Sequence, residues 1–318
     1  MITKLEFGWF LSRWAGYLRH QKLKKFPDYK MLLMTNIQYH PIVNDFITYT
    51  VDLPDWFREL NLETDCYETP FIGSPGGSLT PPNVYAKLIE YLRQFYNYES
   101  KDSIEMFPPR GYNLVMDHKE QLFCKIGSKS KKIKSEKPIV CVFPRKRDRA
   151  SNRNVPEFVW KKTVDKLSEN FTVVLEGTPN GACLVDYPES DSVINQIGYS
   201  GSDKLDKTIA FLNSAVCSLS SQSGPTHLSL ACDCPSYIIG HEKDRHTVKE
   251  NRLNTPTSFR YVQDYRAIDS DTILLDVTDF MTQLKKAGYL DVPEYKDILS
   301  NDTNQMNQLI KGEIYGSN

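Results

Sequence analysis

No apolar run in this 318-residue chain reaches the roughly 18 to 20 residues that a membrane-spanning helix needs. No secretory signal pattern opens it either. Its seven cysteines are an odd number without a paired framework, and Cys232 and Cys234 make a C-x-C rather than a C-x-x-C. That argues against a disulfide scaffold and for reduced thiols. Charge of one sign is missing as well: 39 basic residues face 40 acidic ones, so no global field favours nucleic acid. The glycine-rich stretch Phe71–Ser78 lacks the Lys-Ser/Thr of a P-loop and the spacing of a dinucleotide fingerprint, and reads only as a surface loop near a cleft. Two sequons, at Asn170 and Asn301, are the sole hint of secretion, and such triplets recur by chance. The expectation is a soluble, cytoplasmic protein.

What remains is long enough for two ordinary domains and rich in aromatics, with 18 Tyr, 15 Phe and 4 Trp. A helical pattern over Trp9 to Leu23 carries Phe10, Trp14, Tyr17 and Leu18, then a basic tail that complements a helix C-terminus. A strand follows at Met31–Thr35, and Pro82 opens a helix through Tyr98 with Tyr85, Leu88, Ile89, Leu92 and Phe95 on one face. Residues 125–137 are basic and aperiodic, and read as an interdomain linker. The division expected is residues 1–130 as a first domain, 131–290 as a second, and 291–318 as a terminal helix and tail.

Beyond the linker the pattern sharpens. Ile139–Phe143 is a continuous apolar strand of the doubly covered, parallel kind. A helix follows from about Pro156 to Leu167, carrying Phe158, Trp160, Val164 and Leu167, then a strand at Phe171–Leu175. Ser200-Gly201-Ser202 caps a helix to Leu212, and Ala215–Leu219 is the next strand. A loop turns at Gly224, a short helix runs from Thr226 to Cys232, and another strand covers Pro235–Gly240. Strands alternating with helices predict an α/β fold with a parallel sheet, whose ligands lie outside the carboxyl ends of the strands. Three strand ends should therefore face one crevice.

Their chemistry suits an anion beside a sugar. Arg145, Lys146 and Arg147 bring fixed positive charge to the first strand end. Ser221, Ser223, Gly224 and Thr226 add hydroxyls and the free N–H groups of a helix start, with Pro225 where a first helical residue is expected. Glu176, beside Gly177, is the residue type that hydrogen-bonds ribose hydroxyls, or else caps a helix or pairs with a cation. His227 is either a phosphate or sugar ligand or a satisfied core histidine.

The run Ser221-Gln222-Ser223-Gly224-Pro225-Thr226-His227-Leu228-Ser229-Leu230-Ala231, closed by Pro235, resembles the donor-site signature of heptosyltransferase-like GT-B glycosyltransferases of family 9. The Arg145-Lys146-Arg147 loop is similar, more loosely, to the basic loop of fucosyltransferases. Gln222 stands where that signature usually has Asp, and the first strand and its Gly-Asp loop are reduced to Glu6-Phe7-Gly8. The resemblance covers about residues 138–240. It implies a GT-B fold, two Rossmann-like domains with parallel sheets facing a central cleft, the first for the acceptor and the second for the donor. It further implies a metal-independent, inverting hexosyl or heptosyl transfer from a GDP-, ADP- or UDP-type sugar to a glycan or lipid-linked acceptor. Neither cofactor nor metal is required, and peripheral membrane contact stays open. Arg145, Lys146, Arg147, Ser221, Ser223, Gly224, Thr226 and His227 would hold the diphosphate, Glu176 and Gly177 the nucleoside, and Glu6 would be the base, ahead of Asp117 and His118.

Three other classes are open. A non-hydrolysing nucleotide-sugar epimerase shares the architecture, and a degenerate binder would keep the site without the chemistry. A metal-dependent GT-A enzyme would use Asp269-Ser270-Asp271, which precedes an expected strand at Ile273–Leu275. The charged loop His241–His246 is a further candidate for the sugar pocket, against a plain surface role, and Asp276–Ala287 reads as a closing helix with Phe280, Met281 and Leu284 inward. Val292–Leu299 is expected to form a last helix returning to the first domain.

Overall fold

The computed structural model describes residues 7–58, 82–97, 99, 101, 120–127, 132–148 and 150–289. Its largest feature is a six-stranded, wholly parallel sheet in the order β5-β4-β3-β6-β7-β8. The strands are β3 (Ile139–Phe143), β4 (Thr172–Leu175), β5 (Val193–Asn195), β6 (Ala215–Ser221), β7 (Ser236–Gly240) and β8 (Thr257–Tyr261). Before them come β1 (Leu32–Thr35) and β2 (Tyr49–Asp52), a separate parallel pair in register from Leu32 opposite Tyr49.

The side chains of β3 show why its run is apolar throughout. Ile139, Cys141 and Phe143 face one core and Val140 and Val142 the other, because strand side chains alternate and both faces are covered. One cover is α5 (Glu157–Leu167) with α8 (Ser270–Lys286): Val159, Trp160, Val164, Phe280, Met281 and Leu284 pack there against Val173, Leu175, Leu219 and Ile239. The other is α6 (Lys204–Leu212) and α7 (Gly224–Ala231), with Ile209, Leu212 and Leu228 buried against the sheet.

That second face has a third layer from the start of the chain. Residues 7–25 form one helical run, α1, whose segments Phe10–Trp14 and Gln21–Lys25 are π-helical turns. Phe10, Leu11, Trp14 and Leu18 join the core that contains Leu228, Cys232 and Cys234. Gly16 admits the contact that holds α1 from outside: a Cβ there would meet the Phe123 ring at 2.5 Å, and the Leu122 N–H donates to the Gly16 carbonyl. The first half, with the short helices α2 (His40–Val43) and α3 (Asp55–Arg58), keeps a smaller core of its own, Met34, Leu53 and Phe57 against Leu88 and Leu92 of α4 (Pro82–Arg93).

Several expectations are revised. Ile273–Leu275 is not a strand but the first turns of α8; Ile273 shares a helical stripe with Val277, Phe280 and Leu284, and Leu275 is exposed. Strands β5 and β8 carry no apolar run: β5 has three residues, and β8 is a half-exposed edge with the sequence TSFRY. Phe158 and Phe95 are exposed rather than inward. In the basic run, Ile126 is buried and its N–H donates to the Ala231 carbonyl, and Lys137 Nζ donates to the Ser168 and Glu169 carbonyls and to Ser192 Oγ. Phe71–Ser78 and Val292–Leu299 lie outside the described residues.

Candidate functional site

The three strand ends do converge. Beyond β3, β4 and β6 lies a cavity of about 760 Å³, within the usual span for a small-molecule site. Arg145, Arg147, Glu176, Gly177, Ser223 and Gly224 line it from the second half. Phe7, Asn36, Tyr39 and Leu53 line it from the first, the Phe7 and Tyr39 rings packing 5.5 Å apart.

The loop after β3 is held by its neighbours. Arg145 forms an isolated bridge with Ala182, the Lys146 N–H donates to Gly181 O at 3.0 Å, and the Cys183 N–H donates to Pro144 O at 2.8 Å. Asn154 staples the rest: its Oδ1 accepts from the Arg145 guanidinium and from the Arg147 N–H, and its Nδ2 donates to Arg147 O at 2.9 Å. Arg145 is nearly buried, and burial together with the nearby Arg147 and Arg153 lowers its pKa to about 10, so it stays charged at neutral pH. Lys146 points away from the cavity into an exposed pair with Glu157 at 3.2 Å.

Glu176 ends β4 with its carboxyl almost fully buried. Oε2 accepts from Thr208 Oγ1 at 2.9 Å, while Oε1 has no hydrogen-bond partner. Burial pushes its pKa up to about 7, partly offset by the Thr208 hydrogen bond and the Lys204 charge. Lys204 is held in place by the Gln196 and Ile197 carbonyls. Gly177 has φ +148°, and a Cβ on it would lie 2.8 Å from that of Ala182. That position therefore excludes side chains.

At the end of β6 the chain turns into α7. Ser223 Oγ donates to Ser221 O at 2.8 Å, and Ser223, Gly224 and Pro225 present the helix start to the cavity. Gly224 sits against the first residues of α1; its Cβ would be 3.4 Å from the Phe7 ring. Ser221 and Thr226 are turned inward, with Thr226 Oγ1 bonded to Ser220 Oγ and Ser221 O. Gln222 is buried too, its Oε1 accepting from the His241 and Glu242 N–H groups and its amide donating to Glu242. That side chain ties the loop to the end of β7 and does not line the cavity. The charged loop after β7 does not line it either.

His227 faces the far side of α7. Its Nε2 lies 3.1 Å from Glu250 Oε2, its ring packs against His246, and it does not line the large cavity. Burial, with Arg245 and Arg13 nearby, lowers its pKa to about 3. Asp269 is the N-cap of α8, accepting from the Thr272 N–H at 2.7 Å, and Asp271 lies in the first turn. Capping accounts for that acidic pair. Glu6, Asp117 and His118 lie outside the described residues. Sequence reasoning missed Asn154, Thr208 and Tyr39, for which no local pattern gives a signal.

No family model matches the chain, and no curated protein matches it by sequence. Solved structures match it well. Escherichia coli ADP-heptose LPS heptosyltransferase II superposes with a TM-score of 0.56 at 12% identity, over 89% of this chain and 98% of that one. A family 9 glycosyltransferase from Veillonella parvula gives 0.56 at 11%, over 89% and 96%. The E. coli heptosyltransferase WaaC with ADP gives 0.52 at 11%, over 88% and 98%. The chain therefore has the fold of GT-B heptosyltransferases.

Proposed function

We propose that the chain is a glycosyltransferase that moves a sugar from a nucleoside-diphosphate donor to an acceptor hydroxyl. One observation carries the reading: a single cavity gathers Arg145 and Arg147, the start of α7, and Glu176 at the end of β4. Guanidinium groups and a helix N-terminus suit a diphosphate, and a carboxylate at a strand end suits a ribose hydroxyl. The heptosyltransferase fold supports the same assignment, and the ADP of WaaC makes an adenine nucleotide the first to test.

In this reading residues 131–290 bind the donor and residues 1–130 the acceptor, which enters past Tyr39 and Asn36. The acceptor oxygen attacks the anomeric carbon as the bond to the diphosphate oxygen breaks, through an oxocarbenium-like transition state. Arg145, Arg147 and the α7 N–H groups stabilise the charge on the departing diphosphate, a role that requires no metal ion. A carboxylate across the cleft takes the hydroxyl proton, and the configuration inverts. Glu6 is the proposed base, one residue before the Phe7 that packs on Gly224.

A thermal-shift panel of ADP, GDP, UDP, CMP and dTDP, with and without EDTA, tests the proposal. One diphosphate at 100 times its dissociation constant should add about 2.7 kcal/mol, insensitive to EDTA. No shift with any nucleotide would sink the reading. Formation of an epimer rather than transfer would assign the site to the epimerase class.

A further inference from the structure

A second cluster of chemistry lies on the opposite side of α7, away from the cavity. His227 on α7 meets His246 and Glu250 of the segment after β7, and all three side chains are more than nine-tenths buried. One ligating atom from each lies within 4.8 Å of the others. Four polar atoms in this corner have no hydrogen-bond partner: Nδ1 of His227, both ring nitrogens of His246 and Oε2 of Glu250. The 3.1 Å approach of His227 Nε2 to that Oε2 lacks hydrogen-bond alignment. Buried polar atoms are almost always paired, so four together point to a shared ligand.

We propose that His227, His246 and Glu250 form a structural site for a divalent transition metal, best suited to Zn²⁺. Two imidazoles and one carboxylate are a recurring zinc donor set. Ligands about 2.0–2.1 Å from a tetrahedral metal are themselves roughly 3.3 Å apart, close to the 3.1 Å between His227 and Glu250. His246 and Glu250 are four residues apart at a π-helical turn, Arg245–Lys249, so a small readjustment of that turn closes the set.

The surroundings fit such a site. A cavity of about 20 Å³, lined by His227 and Glu250 but not by His246, has room for one water next to two of the three ligands. Oε1 of Glu250 accepts from Arg13 at 2.9 Å and from Arg245 at 3.1 Å, orienting the carboxylate as outer hydrogen bonds do in metal sites. Those guanidiniums and the nearby Arg252 oppose added positive charge, while Glu242 pairs with Arg245 at 3.1 Å. That opposition applies to any divalent ion; the two imidazole donors are what disfavour Ca²⁺ and Mg²⁺, which rely on oxygen donors, and favour the imidazole-binding metals. Arg13 belongs to α1, so the site would clip α1 to α7 and to the turn after β7. It takes no part in transfer, because none of its three ligands lines the large cavity.

The test uses the untagged full chain, loaded with Zn²⁺ or Co²⁺ and dialysed. The expected result is about one equivalent per chain by mass spectrometry, a tetrahedral Co²⁺ spectrum without a thiolate charge-transfer band, and a melting temperature raised by Zn²⁺. His246→Leu and His227→Leu, checked for folding by circular dichroism, should each weaken binding at least tenfold and abolish the Zn²⁺ shift. Binding well below one equivalent by the folded wild type would overturn the proposal, as would full binding retained in both variants. If neither variant folds, the wild-type Co²⁺ spectrum decides, since a thiolate band would assign the metal to cysteine.

Discussion

Replacing Glu176 with glutamine should make the protein more stable, by an amount that grows with pH. The carboxyl is buried with one oxygen unpartnered, and its pKa is raised from 4.5 to about 7 in the folded chain. Between those values the native state holds more protons than the unfolded state, so stability falls as pH rises through that window. A shift of this size corresponds to roughly 3 kcal/mol, nearly absent at pH 4 and fully expressed by pH 8. Glutamine keeps the shape and the Thr208 contact without the charge. Any fixed gain or loss from its amide is independent of pH, and other titrating groups cancel in the difference between the two proteins. Urea unfolding of wild type and Glu176→Gln from pH 4 to 8 reads that difference directly. It should widen by about 3 kcal/mol toward alkaline pH, with most of the change between pH 4.5 and 7. A difference that stays constant within about 0.5 kcal/mol, or that narrows, would refute the buried-carboxylate account.

Other substitutions separate binding from stability. Arg147→Ala removes a charged donor from the cavity and should weaken ADP about tenfold or more by calorimetry; unchanged affinity would place the diphosphate elsewhere. Gly177→Ala must take φ +148° and a Cβ contact of 2.8 Å, so thermal unfolding should show a loss of at least about 1 kcal/mol. Thr226→Val breaks the bonds to Ser220 and Ser221 but faces away from the cavity. It should cost about 1–2 kcal/mol in urea unfolding and keep the nucleotide-induced shift; loss of that shift in a folded variant would mean that Thr226 touches ligand. Asp269→Ala should cost about 1 kcal/mol as a lost helix cap and leave any nucleotide response unchanged, with or without Mn²⁺.

Much of the second half was legible because burial on both sheet faces leaves a one-dimensional trace. A strand covered on both sides must be apolar throughout, and Ile139–Phe143 is. Strands β5 and β8 left no such trace. One is three residues long, and the other is an edge whose half-exposed side chains need not be apolar. Ile273–Leu275 misled in the opposite direction, since three apolar residues do not distinguish a period of 2 from one of 3.6. Asp269 and Asp271 looked like a metal motif because a cap and a ligand draw on the same residue types. The sequence cannot say whether an adjacent backbone N–H is already accepting that carboxylate's lone pair.

The residue sequence by itself determined an α/β chain with a parallel sheet in its second half. It also brought the loops at Arg145, Glu176 and Ser223 to one crevice, because parallel strands point all their carboxyl ends one way. Which members of each loop face that crevice was decided only in three dimensions. Arg145 and Arg147 turn in while Lys146 turns out; Ser223 and Gly224 open the helix while Ser221 and Thr226 are buried behind it, Thr226 bonded to Ser220 Oγ and to the Ser221 carbonyl. His227 turns out of the crevice although its neighbour Leu228 lines it, because a helix rotates about 100° per residue and its sides meet different partners. The packing of α1 on α7, which brings Arg13 to Glu250 and Phe7 to Gly224, joins residues more than 200 positions apart. No local pattern encodes such a pairing; it follows from the apolar area that both helices bury together.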